Sequence, residues 1–235
     1  MCIRDRRITW KRGRVRVHLG DGRELEGKSA LITVPLGVLK ARALVLDPVV
    51  PTVERALPLL HMGSVLRLAL LFTEPFWEEQ RDLIDHAASP YDLSFLHAHK
   101  EPIGTWWTAY PTRAPLLIGW AGGPKARDLG GQSLDQLTAL GLRILADQFG
   151  ITTRKLRGLL EASWTHDWQR DPYSIGAYSY PGVGGAEASK LLARPAAGTL
   201  FFAGEAATPE GRNGTVDGAI ATGTRAAKQL LRALS

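Results

Sequence analysis

The chain has 235 residues, 45% of them hydrophobic, 22% charged and one a cysteine, which is enough apolar content for a sizeable core or two smaller ones. The formal charge of +6 is carried by residues 1–16, so it gives no basic face of the kind nucleic acid requires. The single cysteine, Cys2, rules out a disulfide framework within the chain, and no apolar run is long enough to span a bilayer.

In chain order, Val15, Val17 and Leu19 alternate with polar residues, and Asp21-Gly22 supplies a turn before Ala30–Val34, a hairpin pattern. Pro48 and Pro51 punctuate the exit, and a short helix over Val53–Leu60 leads to a strand at Val65–Phe72. Further strands are predicted at Leu93–Leu96, Thr105–Ala109 and Leu116–Trp120. Leu134, Leu137, Leu140, Ile144 and Leu145 mark an amphipathic helix ended by Gly150, followed by a helical segment at Thr153–Leu159 and a strand at Ala162–Trp164.

The last strand and helix carry the most information. Leu200, Phe201 and Phe202 form a buried strand that stops at Ala203-Gly204, with a carboxylate, Glu205, just beyond. From Thr215 onward, Val216, Ala219, Ile220, Ala226, Ala227, Leu230, Leu231 and Leu234 recur at helical spacing, with Arg225, Lys228 and Arg232 on other faces. Gly214 and Gly218 are read as letting the helix start approach a flat ligand, whose electron-rich edge the free N–H groups and the dipole favour. The segment alone is equally compatible with an ordinary strand, loop and helix closing an α/β sheet, with a solvated glutamate.

This segment resembles the C-terminal FAD-binding motif of the flavin-containing amine oxidases. Three more blocks agree in order: Ala30-Leu-Ile-Thr-Val-Pro-Leu-Gly-Val-Leu-Lys40, Met62–Phe72 running on to Glu74-Pro-Phe-Trp77, and Trp168–Tyr180. The resemblance implies a fold of α/β plus α+β type: part of a Rossmann-like FAD-binding domain intertwined with a substrate domain of antiparallel sheet and helices. The expected segments are 1–55 and 171–235 for the FAD-binding domain and 56–170 for the substrate domain. The family opens with a Gly-x-Gly-x-x-Gly turn that holds the pyrophosphate. No such turn occurs here, and Gly182-Val-Gly-Gly185 lacks its spacing. The expectation is therefore a C-terminal portion of a longer enzyme, with weak or no FAD retention by residues 1–235 in isolation. The resemblance begins near Ile8, which leaves Met1–Arg6 without a counterpart.

The chemistry the resemblance implies is transfer of a hydride from an amine α C–H to flavin N5, with O2 or another acceptor taking the electrons. Cofactor-binding residues carried over by motif position are Thr33, Val34, Pro35, Gly204, Glu205, Thr215, Val216 and Ala219. Trp168, Tyr173 and Tyr178 match the aromatic wall of the substrate pocket. Arg67 stands where much of the family has a lysine that holds a water at N5, so Arg67 and Tyr178 are the candidate catalytic residues. Trp106, Trp107 and Trp120 are read as core. The partners expected are a small-molecule amine and an electron acceptor, with no nucleic acid, and the expected location is cytoplasmic. His97 and His99 share one strand face near His86, but without a third ligand at characteristic spacing they are read as surface histidines and no metal is expected. Serines lack a nucleophile-elbow context. The alternatives are a flavin-dependent desaturase or protoporphyrinogen-type oxidase, and a non-catalytic module without flavin.

Overall fold

The computed structural model describes residues 5–79, 92–209 and 211–234. The chain divides into two compact units, Met1–Gly63 with Gln169–Ser235, and Ser64–Trp168. In chain order its elements begin with β1 (Asp5–Lys11), β2 (Arg14–Leu19), β3 (Glu24–Gly27), β4 (Ala30–Ile32), α1 (Leu36–Lys40), β5 (Val45–Asp47), α2 (Pro51–Ala56) and β6 (Leu60–Met62). They continue with β7 (Val65–Phe72), β8 (Phe95–His97), β9 (Thr105–Thr108), β10 (Leu116–Gly122), α3 (Gly123–Asp128), α4 (Leu134–Phe149), α5 (Thr153–Leu159) and β11 (Leu160–Thr165). The last are β12 (Ser179–Pro181), α6 (Ala188–Leu192), β13 (Leu200–Phe202) and α7 (Val216–Leu234).

In the first unit β3, β2, β1 and β5 form one sheet, antiparallel except for the β1–β5 pair. The Asp21-Gly22 turn closes a hairpin onto Glu24–Gly27 rather than onto Ala30–Val34. Ala30–Ile32 instead leaves that sheet and runs parallel to β13, in the register Leu200 to Ala30, Phe201 to Leu31 and Phe202 to Ile32. The turn fixed the hairpin correctly, but the partner strand is the short polar run next in sequence. β1 begins at Asp5, so Asp5 and Arg6 belong to a strand that continues Ile8-Thr-Trp10. The unit's core gathers Ile8, Val15, Val38, Leu60, Leu200 and Phe202. β13 is covered on both faces, as strands of parallel pairs are. Pro35 opens α1 with φ −55°, the value its ring imposes, and Gly37 lies so close to the 174–175 backbone that a Cβ would stand 2.3 Å from the Ile175 carbonyl oxygen.

The second unit is a five-stranded antiparallel sheet in the order β11-β7-β10-β9-β8. Leu66, Leu68, Leu70 and Phe72 alternate along β7 toward one face, where α4 buries Leu142, Leu145 and Phe149. Phe76 packs edge-on to Phe72, Trp77 and Phe149, with ring centroids 4.9, 5.2 and 5.3 Å away. α4 starts at a reciprocal capping box between Ser133 and Gln136 and ends at Gly150, which adopts the left-handed conformation at φ 63°. No helix among the described residues is long and apolar enough to cross a membrane.

The opposite face of this sheet is open. Adjacent tryptophans on β9 point to opposite sides: Trp106 is fully buried and donates its indole N–H to the Ile103 carbonyl, whereas Trp107 faces away and is half-buried. Trp120 also lies on the open face, directly across from Arg67. Of the three tryptophans read as core, only Trp106 is core. The period of two along the strand separates them.

Candidate functional site

The site is built from the end of β13 outward. Phe202 is followed by Ala203 and by Gly204 at φ 118°, a conformation that side-chain-bearing residues rarely adopt. Around Gly204, the nearest atom to the position a Cβ would occupy is the Thr33 carbonyl oxygen at 4.0 Å, so this side of the strand end is open. Thr33, Val34, Pro35, Gly204 and Glu205 together line a cleft of about 160 Å³, with Leu36, Leu39 and Phe202 among its apolar walls. Glu205 is the only charged side chain in that lining.

Glu205 is not simply solvated. Its Oε2 accepts the Ser179 hydroxyl at 2.7 Å and the Gly214 N–H at 2.7 Å, and the Ser179 N–H lies 3.2 Å from both carboxylate oxygens. Asn213 extends the network by donating to the hydroxyls of Ser179 and Ser189, each at 3.1 Å, and both serines are buried. An ionised carboxylate has about four lone-pair sites. Oε2 is therefore saturated by the chain, while Oε1 holds only a shared contact and keeps acceptor capacity.

α7 is fixed to the strand end by two side chains that the sequence did not single out. The buried Thr222 hydroxyl accepts the Gly204 N–H at 3.0 Å and lies 3.0 and 2.8 Å from the carbonyl oxygens of Gly204 and Ala219. Arg225 donates to the carbonyls of Phe202 at 2.6 Å and Ala207 at 3.0 Å. Burial holds its guanidinium below the usual pKa, yet two carbonyl acceptors and no carboxylate are what it meets. Arg225 was read as lying on a face other than the apolar one, and that face is the one turned to the strand end. The helix presents small residues, Thr222 and Ala226, to the end of β13 and buries Gly218 against the preceding loop, and it leaves Val216, Ile220, Leu231 and Leu234 exposed. Close approach to the strand requires small side chains, which explains why the large apolar residues are not the packed face.

Replacing Thr222 with Val keeps the shape and removes the hydroxyl. The Gly204 N–H then loses its acceptor, and a loss of about 1–2 kcal/mol is expected, with faster hydrogen exchange at the Gly204 amide. Unchanged exchange would contradict this role.

The helix start differs from expectation in one respect. Thr215 caps α7 by accepting the Gly218 N–H at 3.1 Å. A Cβ on Gly218 would stand 2.6 Å from the Arg212 carbonyl oxygen and 2.8 Å from the Thr215 hydroxyl, and one on Gly214 would stand 3.2 Å from the Tyr178 ring. Both glycines make room for the chain itself. Thr215, Val216 and Ala219 lie on this first turn, outside the cleft lining, with Thr215 and Val216 exposed.

Tyr178 is brought to the same place. Its carbonyl accepts the Gly63 N–H at 2.8 Å, and its ring lies against Gly214 with 40% of the residue exposed. Tyr173 sits in a turn closed by its N–H to Asp171 at 2.8 Å and is also exposed. Arg67 and Trp168 belong to the other unit. Arg67 is an exposed residue of β7, with no carboxylate bonded to its side chain among the described residues, and Trp168 packs edge-on against His166 at 4.4 Å. The rings of His97 and His99 stack in parallel 5.3 Å apart; His86 lies outside the described residues. Among the described residues, no group of three or more His, Cys, Asp or Glu gathers to hold a metal.

Residues 3–231 match the family model described as flavin containing amine oxidoreductase. The match starts upstream of Ile8, where the resemblance had been placed. The chain is 34% identical over 220 residues to lysine-specific histone demethylase 1 homolog 3 of Arabidopsis thaliana, covering 93% of this chain and 13% of that protein. It is 30% identical over 224 residues to polyamine oxidase 3 of Oryza sativa subsp. japonica, covering 94% of this chain and 43% of that protein. A solved structure of putrescine oxidase, redesigned in its cofactor binding, superposes with a TM-score of 0.77 at 19% identity, covering 97% of this chain and 48% of that one. The chain thus spans less than half the length of each of these proteins.

Proposed function

We propose that this chain, which belongs to the flavin containing amine oxidoreductase family, forms part of an FAD-dependent amine oxidoreductase. The observation that carries the reading is Glu205, held by Ser179 and Gly214 in the lining of a largely apolar cleft with one carboxylate oxygen still able to accept. A carboxylate acceptor beside apolar walls suits a cofactor with a flat ring and a hydroxyl-bearing chain. Glu205 would accept from a hydroxyl, Thr33, Val34, Pro35 and Gly204 would wall the cleft, and Thr215, Val216 and Ala219 would lie beneath the ring. When bound, FAD supplies the acceptance of a hydride from the amine α C–H and the passage of electrons to O2 or another acceptor.

The protein's own contribution is positioning and desolvation. Tyr178 and Tyr173 would supply aromatic surface that favours the neutral amine, whose lone pair must be free for the reaction, and Trp168 is the aromatic candidate of the second unit. A guanidinium offers several hydrogen-bond donors and, unlike a lysine amine, is no proton shuttle, so Arg67 would donate rather than relay a proton. In the flavin-loaded protein, Arg67→Lys is expected to speed reoxidation by O2 on the order of tenfold. Equal rates in stopped-flow mixing of the reduced protein with oxygen would reject a role for Arg67. The reading as a whole is tested by anaerobic addition of an amine to the complete flavin-loaded enzyme of which this chain would form part: loss of the flavin's visible absorbance supports it, and an unchanged spectrum with every amine rejects it.

A further inference from the structure

The open face of the five-stranded sheet carries an unusual set of side chains. Two adjacent rows run across it. One passes through Phe95, Trp107, Ile118, Ala69 and Trp164, and the next places His97, Thr105, Trp120 and Arg67 side by side. Phe95 and Trp164, at the ends of their row, are 60% and 53% exposed, Trp107 and Ala69 are half-buried, and Ile118 between those two is buried. Trp120 lies flat along its strand because Gly122 has no side chain: a Cβ there would stand 2.5 Å from the indole. Apart from Glu161, which sits in the bulge of β11, no strand position on this face is Asp or Glu. Arg67 is the only permanent cation among the strand positions of the two rows.

A polycation needs carboxylates spaced along its length, and this face offers aromatic planes and one like charge instead. Like charge repels, although at an exposed position such as Arg67 solvent and salt screen part of the repulsion. Aromatic planes, by contrast, bind apolar bodies and can accept one ammonium through their negative faces. We infer that this face selects amines with a bulky apolar body and a single nitrogen, and disfavours polyamines. The inference deepens the amine-oxidoreductase reading and rests on it for the role of the face as a substrate wall.

The test uses binding, measured by calorimetry on the full chain without added flavin, with phenethylamine and spermidine as ligands. Phenethylamine is expected to bind saturably and at least about tenfold more tightly than spermidine. Trp120→Ala is expected to weaken phenethylamine about tenfold. Ala69→Glu, which adds a carboxylate at the centre of the face, is expected to raise spermidine affinity. Spermidine binding as tightly as phenethylamine, no saturable binding of either, or phenethylamine affinity unaltered in Trp120→Ala would each overturn the inference. Phenethylamine binding with no flavin reduction in the loaded protein would leave the inference standing and remove the functional reading. Flavin reduction by spermidine in preference to phenethylamine would do the reverse.

Discussion

Glu205→Ala is expected to destabilise the first unit by about 3 kcal/mol, far more than removal of a solvated surface carboxylate. The carboxylate receives the N–H and hydroxyl of Ser179, which is 2% exposed, and the N–H of Gly214. Hydrogen bonds to a charged acceptor contribute about 1.5–3 kcal/mol, and a buried donor left without a partner costs about 1–3 kcal/mol. Gly214 is exposed, so water can take over its N–H, and the loss is concentrated at Ser179. Glu205→Gln keeps one acceptor oxygen and is expected to lose roughly half as much. Urea denaturation gives the change in stability, and hydrogen exchange at the Ser179 amide gives its location. A change below about 0.5 kcal/mol would mean that the glutamate has no structural partner in solution.

Trp106→Ala is expected to destabilise the second unit by about 3–5 kcal/mol. The indole is fully buried, donates to the Ile103 carbonyl at 3.1 Å and fills the space that Gly119 and Gly141 leave; a Cβ at those glycines would stand 2.7 and 3.0 Å from its ring. The two glycines bring no side chain of their own to the void, which Ile103, Leu68 and Leu70 border. Its sequence neighbour is the control: Trp107 lies on the open face, and Trp107→Ala is expected to cost within about 1 kcal/mol. Equal losses for the two substitutions in urea denaturation would contradict the assignment of the faces.

These two cases also show what the sequence could and could not disclose. Elements with local signals were legible. The Ser133 capping box and Gly150 bracket α4, and Thr152 caps α5, which spans the predicted 153–159. Strands set by long-range pairing were not: β6 and β12 are three residues each and are defined by pairing with one another, Tyr180 opposite His61 with rings 5.5 Å apart. α1 was not predicted: it is five residues long and contains Gly37, a weak helix former, although Pro35 suits a helix start. The Thr105-Trp-Trp-Thr108 run contained its answer in the alternation of a strand, since two adjacent tryptophans cannot share a face.

At the candidate site, the motif positions Thr33, Val34, Pro35, Gly204 and Glu205 do converge on one cleft. What held them there was not visible in sequence. Ser179 and Asn213 lie 26 and 34 residues from their partners, Glu205 and Ser179, so no local pattern links them. Thr222 and Arg225 were masked by the apolar periodicity of α7, which pointed to the large residues as the buried face. A packing distance that admits only small side chains cannot be read from hydrophobicity alone. The Asn213-Gly214 pair was the one available signal, because an Asn-Gly step commonly marks a tight turn and its polar side chain must find partners once buried.

The most direct test of the account is photo-crosslinking of the chain with a photoreactive FAD analogue at saturating concentration, followed by peptide mapping. Labels are expected on the peptides that contain Thr33–Pro35 and Gly204–Ala219, and are expected to weaken in Glu205→Gln and with excess unmodified FAD. Labelling confined to other peptides, or labelling of these that excess FAD does not suppress, would contradict the placement of the cofactor.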